Sequence, residues 1–306
     1  MWRMAWIGLL ISGLGVAQGF LPRHPECIGG GWDFTCRAVA QLMYQLKIVP
    51  QPFTLSHLPG AGGGVAYAHV VSQRDDDPEL IVAASTTTAV RLAQGQYGPF
   101  NERDVRWLGA IAADFGLVAV KAEAPWKTLQ ELLAAWKADP SRITTGGPDP
   151  LRVALLGRAV GIDPRSIRYT PAEDPTPLKH DLVQIFLGDA SVLREEVAGG
   201  SLRALGVMAP QRLPGPYTDV PTLRELGYDV DWVVWQGFYM PKSTSAQAYT
   251  FWVQALRKVA RSPEWAKVRE QNGLGEFLSL GVEFQVLVER QVHALRGLSR
   301  ELGLTK

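Results

Sequence analysis

Loops rich in glycine and hydroxyl side chains are the part of this chain whose spacing could do chemistry. They occur at 29–31 (GGG), 60–64 (GAGGG) and 85–88 (STTT), each after a strand-like segment and before a helix-like one. Backbone N–H groups at the start of a helix, together with the positive end of its dipole, bind anions. In an open α/β sheet, a ligand crevice is expected outside the carboxyl ends of the strands. One such loop could be a simple turn, but three in register predict an anion site at one edge of a sheet.

Other chemistries fit these loops less well. The dinucleotide fingerprint fails at its sixth position, which is Val65 for the loop at 60–64 and Phe34 for the loop at 29–31. No phosphate loop ending in Gly-Lys-Ser/Thr occurs, and Ser85 lacks the Gly-x-Ser-x-Gly turn of a hydrolase. The sequence therefore indicates a binding protein without a cofactor, and not an enzyme.

The N-terminus has the outline of a signal peptide. Arg3 precedes an apolar run at 5–16, and the small residues Ala17 and Gly19 follow it. This run is shorter than the roughly 20 residues that a membrane-spanning helix needs. We expect a signal peptide at 1–19 and export of the rest, with an uncleaved anchor as the alternative.

Export bears on the two cysteines and on the charge balance. Cys27 and Cys36 would enter an oxidising compartment, where we expect them to form a disulfide. The five histidines show no metal-binding spacing, so no metal site is predicted. The chain has 31 basic and 30 acidic residues, and loss of Arg3 makes it neutral. A neutral chain without a basic stripe offers no electrostatic footprint for nucleic acid or an anionic membrane.

The remaining chain alternates between strand-like and helix-like segments, which is typical of α/β lobes with largely parallel sheets. Asp33 is expected to cap the first helix, with its carboxylate turned to its own backbone. Segments 105–120 and 232–240 are interpreted as crossings between two lobes, the first as two strands separated at 113–116. Two crossings make a hinge.

These crossings predict a division into three parts. A signal peptide occupies 1–19, the first lobe combines 20–117 with 237–306, and the second lobe is 118–236. A helical tail at 246–302 is expected to pack back on the first lobe.

Several motifs resemble those of a known family. They are ECIGGGWDFTCR at 26–37, PGAGGGVAY at 59–67, IVAASTT at 81–87, VRW at 105–107, GD at 188–189, PT at 221–222 and GFYMPK at 237–242. In these motifs the chain resembles the substrate-binding proteins of tripartite tricarboxylate transporters, the Bug receptors, and most of all their citrate-type branch. The resemblance covers roughly Glu26 to the C-terminus.

The resemblance implies a two-lobed periplasmic binding protein of the type II, Venus-flytrap architecture. Such a monomeric receptor binds a small di- or tricarboxylate between its lobes and delivers it to a permease of one large and one small membrane subunit. Loop amides and waters hold the ligand, with little use of charged side chains. The contacts implied here are Gly29, Gly30, Gly31, Trp32, Asp33, Gly60, Gly62, Gly63, Ser85, Thr86, Thr87, Gly146, Gly147, Pro148 and Asp189.

Three loops depart from the family pattern. Ile28 runs straight into Gly29, where the family has about five more residues, and the glycine-rich second-lobe loop is reduced to 146–151 (GGPDPL). The crossover after Tyr169 shrinks to 171–178, whose three prolines resist helix. Besides transport, the alternatives are a binding protein diverted to sensing and a degenerate receptor with an altered ligand.

Overall fold

The structure is a computed structural model that describes residues 19–29 and 32–305. The strands, numbered along the chain, are β1 (Glu26–Ile28), β2 (Thr54–Ser56), β3 (Leu80–Ser85), β4 (Val105–Lys121), β5 (Thr144–Gly147), β6 (Arg168–Pro171), β7 (Ile185–Asp189), β8 (Leu202–Met208), β9 (Val233–Pro241) and β10 (Ser279–Leu280). The helices are α1 (Asp33–Gln45), α2 (Gly64–Gln73), α3 (Thr86–Ala93), α4 (Leu129–Ala138), α5 (Pro150–Ala159), α6 (Thr176–Lys179), α7 (Ala190–Ala198), α8 (Ala246–Ala260), α9 (Pro263–Gln271) and α10 (Val282–Glu301).

One long strand, β4, belongs to both lobes of this α/β fold. The strand order is β2-β1-β3-β9-β4-β7-β5-β6, with β8 and β10 also paired to β4. From Val105 to Phe115, β4 pairs with β9 of the first lobe, and from Gly116 onward it pairs with β7 and β8 of the second. The expected type II architecture with two crossing segments is therefore confirmed.

The first crossing differs from its prediction in one respect. β4 is one continuous strand of 17 residues and not two strands separated at 113–116. Asp114, the polar residue that suggested a break, is buried, and its carboxylate accepts the N–H of Phe115 at 2.8 Å. Because the side chain is satisfied inside the fold, the strand continues through it.

The prediction of largely parallel sheets holds only for the outer strands. β1 is parallel to β2 and β3, and β5 is parallel to β6 and β7. β9 runs antiparallel to β3 and β4, and β4 runs antiparallel to β7 and β8. The chain leaves the first lobe on β4 and returns on β9, so these adjacent strands have opposite directions.

A proline-rich segment forms more structure than its composition suggested. The segment 171–178 was expected to resist helix, yet α6 spans Thr176–Lys179. Pro177 lies in the first turn of α6. The N–H groups of that turn have no partner within the helix, so a proline there removes no helical hydrogen bond.

Large aromatic side chains fill the core of the first lobe next to the crossing strands. The rings of Trp107 on β4 and Trp235 on β9 lie edge to face, with centroids 5.8 Å apart. Phe284 of α10 packs edge-on against both rings. All three side chains are fully buried, and each such aromatic pair contributes about 0.5–1.5 kcal/mol beyond its area burial. The crossing strands thus have a rigid base in the first lobe.

A disulfide joins Cys27 of β1 to Cys36 of α1 across a Cα separation of 6.0 Å. Both residues are buried, and the bond closes a loop that includes the first predicted ligand segment. The predicted signal peptide at 1–19 lies outside the described residues except for Gly19. In the described part of the chain, no helix combines the length and apolarity needed to cross a bilayer.

Candidate functional site

The topology brings the carboxyl ends of strands from both lobes to one interlobe cleft. β3 and β4 are both antiparallel to β9, so β3 points along β4 toward the second lobe. β7 is antiparallel to β4 and points back toward the first lobe, as does its parallel neighbour β5. The loops after β1 and β3 therefore face the loops after β5 and β7.

The loop between β2 and α2 lies at the first-lobe edge of this cleft. Gly60, Ala61, Gly62 and Gly63 all have positive φ, at 128°, 49°, 58° and 90°. The N–H of Gly63 donates to the carbonyl of Gly60 at 3.0 Å and that of Gly64 to the carbonyl of Ala61, so an anion could use only the N–H groups earlier in the loop. The hydroxyl of Tyr97, which the sequence did not single out, donates to the carbonyl of Gly62 and holds the loop in place.

Two neighbouring positions require glycine for packing reasons. A Cβ at Gly63 would lie 2.7 Å from Cζ3 of Trp32, so the indole packs directly on the loop backbone. A Cβ at Gly29 would lie 2.9 Å from Oδ1 of Asp33. Trp32 and Asp33 are thereby placed at the same edge, whereas Gly30 and Gly31 lie outside the described residues.

Asp33 does not cap α1, which corrects the prediction. The N-cap residue is Trp32, without a side-chain cap, and Asp33 is the first helical residue. Its carboxylate forms an ion pair with Arg37 one turn later and lies 3.7 Å from Nδ1 of His57. In the first turn of α1, the negative charge of this carboxylate is still stabilised by the positive end of the helix dipole.

The hydroxyls at the start of α3 are used inside the protein. Ser85 is 1% exposed, and its Oγ accepts the N–H of Thr87 at 3.1 Å as the N-cap. Oγ1 of Thr86 donates to the carbonyl of Val233 at 2.7 Å and accepts the N–H of Trp235 at 3.0 Å. These contacts fix α3 against β9. Of the three hydroxyl residues, Thr87 is the most exposed.

The second-lobe wall begins with Gly146, Gly147 and Pro148. A Cβ at Gly147 would lie 2.5 Å from the carbonyl oxygen of Leu187, so no other residue fits there. The hydroxyl of Tyr169 donates to the carbonyl of Gly147 at 2.6 Å. β5 and β7 are thus packed tightly where they meet the cleft.

Asp149 and Arg152, neither predicted as a contact, follow on α5. Oδ1 of Asp149 accepts the N–H of Leu151 at 2.8 Å and caps the helix. Arg152 is 2% exposed, and its Nη2 lies 2.5 Å from Oδ1 of the predicted contact Asp189. Its guanidinium also lies 5.2 Å from the ring centroid of Trp232. An arginine on an amphipathic helix usually lies at the surface, so the sequence alone did not indicate the buried position of Arg152.

Asp114 and Asp189 lie close together where β4 enters the second lobe. Burial, and the nearby Asp189 carboxylate, raise the pKa of Asp114 to about 6. Its oxygens accept the N–H of Ser191 at 3.3 Å and the hydroxyl of Ser191. This buried carboxylate therefore holds the start of α7 against the crossing strand.

Arg91 of α3 supplies a positive charge from the first lobe. A Cβ at Gly62 would lie 3.3 Å from its Nε, and its Nη1 donates to Oε1 of Gln96 at 2.9 Å. Burial raises the pKa of Asp149, and the charges of Arg152 and of Arg91 act against that rise. Arg91 therefore lies directly beside the glycine loop of the first lobe.

A separate cavity of about 740 Å³ lies beside β4. Asp114 and Phe115 contribute to its wall with α7, α9 and the segment after β8, but its described lining includes none of the predicted contacts. The predicted contacts lie on the loops after the parallel strands and not in this cavity. In residues 19–29 and 32–305, no group of three or more His, Cys, Asp or Glu is placed to hold a metal ion.

Known proteins resemble this chain in both sequence and architecture. The sequence model described as "Tripartite tricarboxylate transporter family receptor" matches residues 36–304. The chain is 25% identical over 287 residues to a Cupriavidus necator protein described as "UPF0065 protein in gbd 5'region", covering 91% of this chain and 85% of the relative.

Solved structures agree in fold over nearly the whole chain. A TctC solute-binding protein from Polaromonas superposes with a TM-score of 0.80 at 23% identity, covering 92% of this chain and 99% of the other. An R. palustris protein solved with adipate has a TM-score of 0.71 at 18% identity, covering 92% and 97%. The family and the fold are those of solute-binding receptors and not of enzymes. The chain therefore belongs to the family of tripartite tricarboxylate transporter receptors.

Proposed function

We propose that this protein is a periplasmic receptor that binds a small carboxylate in the interlobe cleft. The observation that carries the proposal is the glycine loop at 60–64, whose left-handed backbone lies beside the guanidinium of Arg91. A run of N–H groups next to a fixed cation is suited to a carboxylate. Adipate in the R. palustris neighbour, a dicarboxylate, supports the same ligand class.

Among the described residues, predicted contacts next to this loop would form the frame of the site. Trp32 packs against Gly63, and Ser85 and Thr86 orient the start of α3. The lobe boundaries, 20–117 with 237–306 against 118–236, follow from the two crossings. Closure about β4 and β9 would then enclose the ligand, as in other hinged binding proteins.

A binding measurement with a matched pair of variants tests the proposal. Calorimetry would compare Arg91→Gln with Arg103→Gln, because Arg103 is an exposed arginine paired with Glu289 on the surface of the first lobe. A hydrogen bond to a charged group contributes about 1.5–3 kcal/mol, so Arg91→Gln should weaken carboxylate binding about tenfold or more. The Arg103 variant should bind like wild type. The proposal would fail if calorimetry detected binding of no carboxylate and no carboxylate raised the melting temperature of the protein.

Delivery to a permease with one large and one small membrane subunit is the further step we propose. The family to which the chain belongs supports it. Reconstituted permease should take up labelled ligand only when this receptor is added. Uptake that did not depend on the receptor would favour the sensing role.

A further inference from the structure

The helix α10 is fixed to the first lobe along most of its length. Phe284 in its first turn packs edge-on against Trp235 of β9. Oε1 of Gln291, two turns later, accepts the indole N–H of Trp235 at 2.8 Å. Nη2 of Arg296 lies 3.0 Å from Oε2 of Glu102, which precedes β4. A helix held at these points moves with the first lobe.

The end of the same helix reaches the second lobe. The carboxylate of Glu301, the last helical residue, forms an ion pair with Arg158 of α5. Leu302 and Leu304, which follow, are half-buried and form one side of a small cavity of about 290 Å³. The other side of this cavity belongs to α5, to β6 and to the turn between them. An element of the first lobe thus ends in contact with the second.

The local structure of the helix end fixes the position of Leu304. Gly303 has a φ of 67°, the left-handed conformation that commonly ends a helix. Its N–H donates to the carbonyl of Arg300 at 3.1 Å, and the N–H of Leu304 donates to the carbonyl of Ser299 at 2.8 Å. This pair of hydrogen bonds is the Schellman motif, which directs the residue after the glycine. Leu304 is therefore held by the helix itself.

The surface under Leu304 belongs to the same elements as the second-lobe edge of the cleft. Pro150, the first residue of α5, lines the small cavity and follows the predicted contact Pro148 by two positions. Tyr169, also in the lining, donates from its hydroxyl to the carbonyl of Gly147 at 2.6 Å. Movement of this edge toward the first lobe would therefore displace the surface from the end of α10.

The two edges of the cleft are not joined in this way. Among the residues that the structure describes, no hydrogen bond or ion pair connects the first-lobe loops at 60–64 and 85–87 to the second-lobe loops at 146–149 and 188–189. The contact at the end of α10 is thus made while the edges of the cleft remain apart. It stabilises this arrangement of the lobes over one in which the cleft is closed.

We infer that residues 301–304 form a strap between the lobes that opposes closure of the cleft. The inference uses the lobe boundaries given above and goes beyond the proposed function. A ligand that closes the cleft must displace the strap, so part of its binding energy is spent on that displacement. The strap thereby lowers the affinity for the ligand without contacting it.

Two double variants of α10 test the strap. Glu301→Gln with Leu304→Ala removes the ion pair and the apolar contact between the lobes. Glu289→Gln with Leu287→Ala is the matched control, because Glu289 pairs with Arg103 inside the first lobe and Leu287 is a half-buried leucine of the same helix. Thermal unfolding would establish that both variants are folded.

The distance between the lobes in the ligand-free protein is the deciding measurement. Spin labels at Gln41→Cys on α1 and Ala134→Cys on α4 occupy one exposed position in each lobe, and the buried Cys27–Cys36 disulfide leaves no other thiol to label. Double electron–electron resonance should show a broader distance distribution for the strap variant than for wild type. The control variant should match wild type. A distribution as narrow in the strap variant as in wild type would overturn the inference.

Calorimetry with adipate measures the effect on binding and keeps the strap distinct from the proposed function. The strap variant should bind adipate about fivefold more tightly than wild type, a ratio that corresponds to about 1 kcal/mol, and the control should stay within about twofold. Unchanged or weaker binding by the strap variant would show that the strap does not oppose closure. Binding of adipate by none of the three proteins would count against the proposed function, and the ligand-free distance measurement would then decide on the strap.

Discussion

The two edges of the cleft are built from similar strand-loop-helix units but differ in what they leave open. The first-lobe loop at 60–64 is glycine-rich, exposed at 60–62 and buried at Gly63 and Gly64, where Trp32 and Tyr97 pack against it. The second-lobe loop contains Pro148 and Pro150 and is closed by internal carboxylates.

This difference shows that a helix start attracts negative charge from any source. In the loop at 60–64 no acidic side chain takes part, and the N–H groups of Gly63 and Gly64 donate to carbonyls of the same loop, which leaves the earlier N–H groups of the loop for a ligand. Where an aspartate lies within reach, as at Asp149 and Asp114, folding satisfies the donors first. Under the proposed function, the same physics leaves the first-lobe edge for the ligand and makes the second-lobe edge a structural wall.

The largest expected effect is the loss of stability on removing the ion pair between Arg152 and Asp189 in the second lobe. Arg152→Met would leave the carboxylate of Asp189 beside Asp114 without its cation. Removing one member of a buried ion pair costs roughly 3–5 kcal/mol, and because Asp189 is 25% exposed we expect about 3 kcal/mol. Urea denaturation would measure the loss.

A surface pair provides the control for that experiment. Arg212→Met removes an arginine from an exposed pair with Glu225 and should cost less than about 1 kcal/mol. The double variant Arg152→Met, Asp189→Asn should recover part of the stability. If Arg152→Met and Arg212→Met cost the same, the second-lobe pair would not be structural.

The first-lobe edge can be altered with less effect on stability. Gly62→Ala and Gly98→Ala both place a side chain on a left-handed residue, with φ of 58° and 69°. The strain costs about 1–2 kcal/mol in each. A Cβ at Gly62 meets Nε of Arg91 at 3.3 Å, whereas nothing lies within 4 Å of one at Gly98. Calorimetry should therefore show weaker ligand binding for Gly62→Ala alone, and equal binding by the two variants would contradict a site at this loop.

The internal carboxylates also predict how stability depends on pH. The pKa of Asp114 is raised from 3.8 to about 6, so the native state holds this proton more tightly than the unfolded chain does. Its contribution to the free energy of unfolding must therefore fall as pH rises between these two values. The groups that face it are Asp189, Ser191, Tyr217 and the N–H of Phe115.

The measurement compares wild type with Asp114→Asn by urea denaturation from about pH 4 to about pH 7. Asparagine does not titrate, so the stability advantage of wild type over the variant should shrink as pH rises. An advantage that stayed constant or grew would show that the pKa of Asp114 is not raised in the folded protein.

The sequence predicted the features that depend on neighbouring residues. The glycine loop at 60–64 and the β3–α3 junction lie where their local patterns placed them. These features follow from backbone preferences and short-range hydrogen bonds, which a few residues determine. The placement of the two crossings also followed from the pattern.

The features that the sequence did not predict depend on partners far along the chain. Arg152 meets Asp189 37 residues later, and Asp114 meets Ser191 77 residues later. Before the fold is known, such an arginine is indistinguishable from a surface residue. The continuity of β4 has the same origin, because Asp114 is satisfied by α7 as well as by its own strand.

The smallest expected effect tests whether the hydroxyl of Ser85 at the start of α3 serves the ligand or only caps the helix. The resemblance implies that Ser85 contacts the ligand, and a hydroxyl that donated to a carboxylate would make Ser85→Ala cost about 1.5–3 kcal/mol of binding. In the structure its Oγ is buried and caps α3. We therefore expect Ser85→Ala to cost about 1 kcal/mol of stability, the usual value for an N-cap, and to leave ligand affinity within about twofold. Ser245→Ala, which removes the cap of α8, should lose about the same stability and no affinity. Both quantities come from thermal unfolding and calorimetry on the same samples. A tenfold loss of affinity in Ser85→Ala alone would mean that its hydroxyl reaches the ligand, and the open part of the first-lobe edge would then extend from the glycine loop to α3.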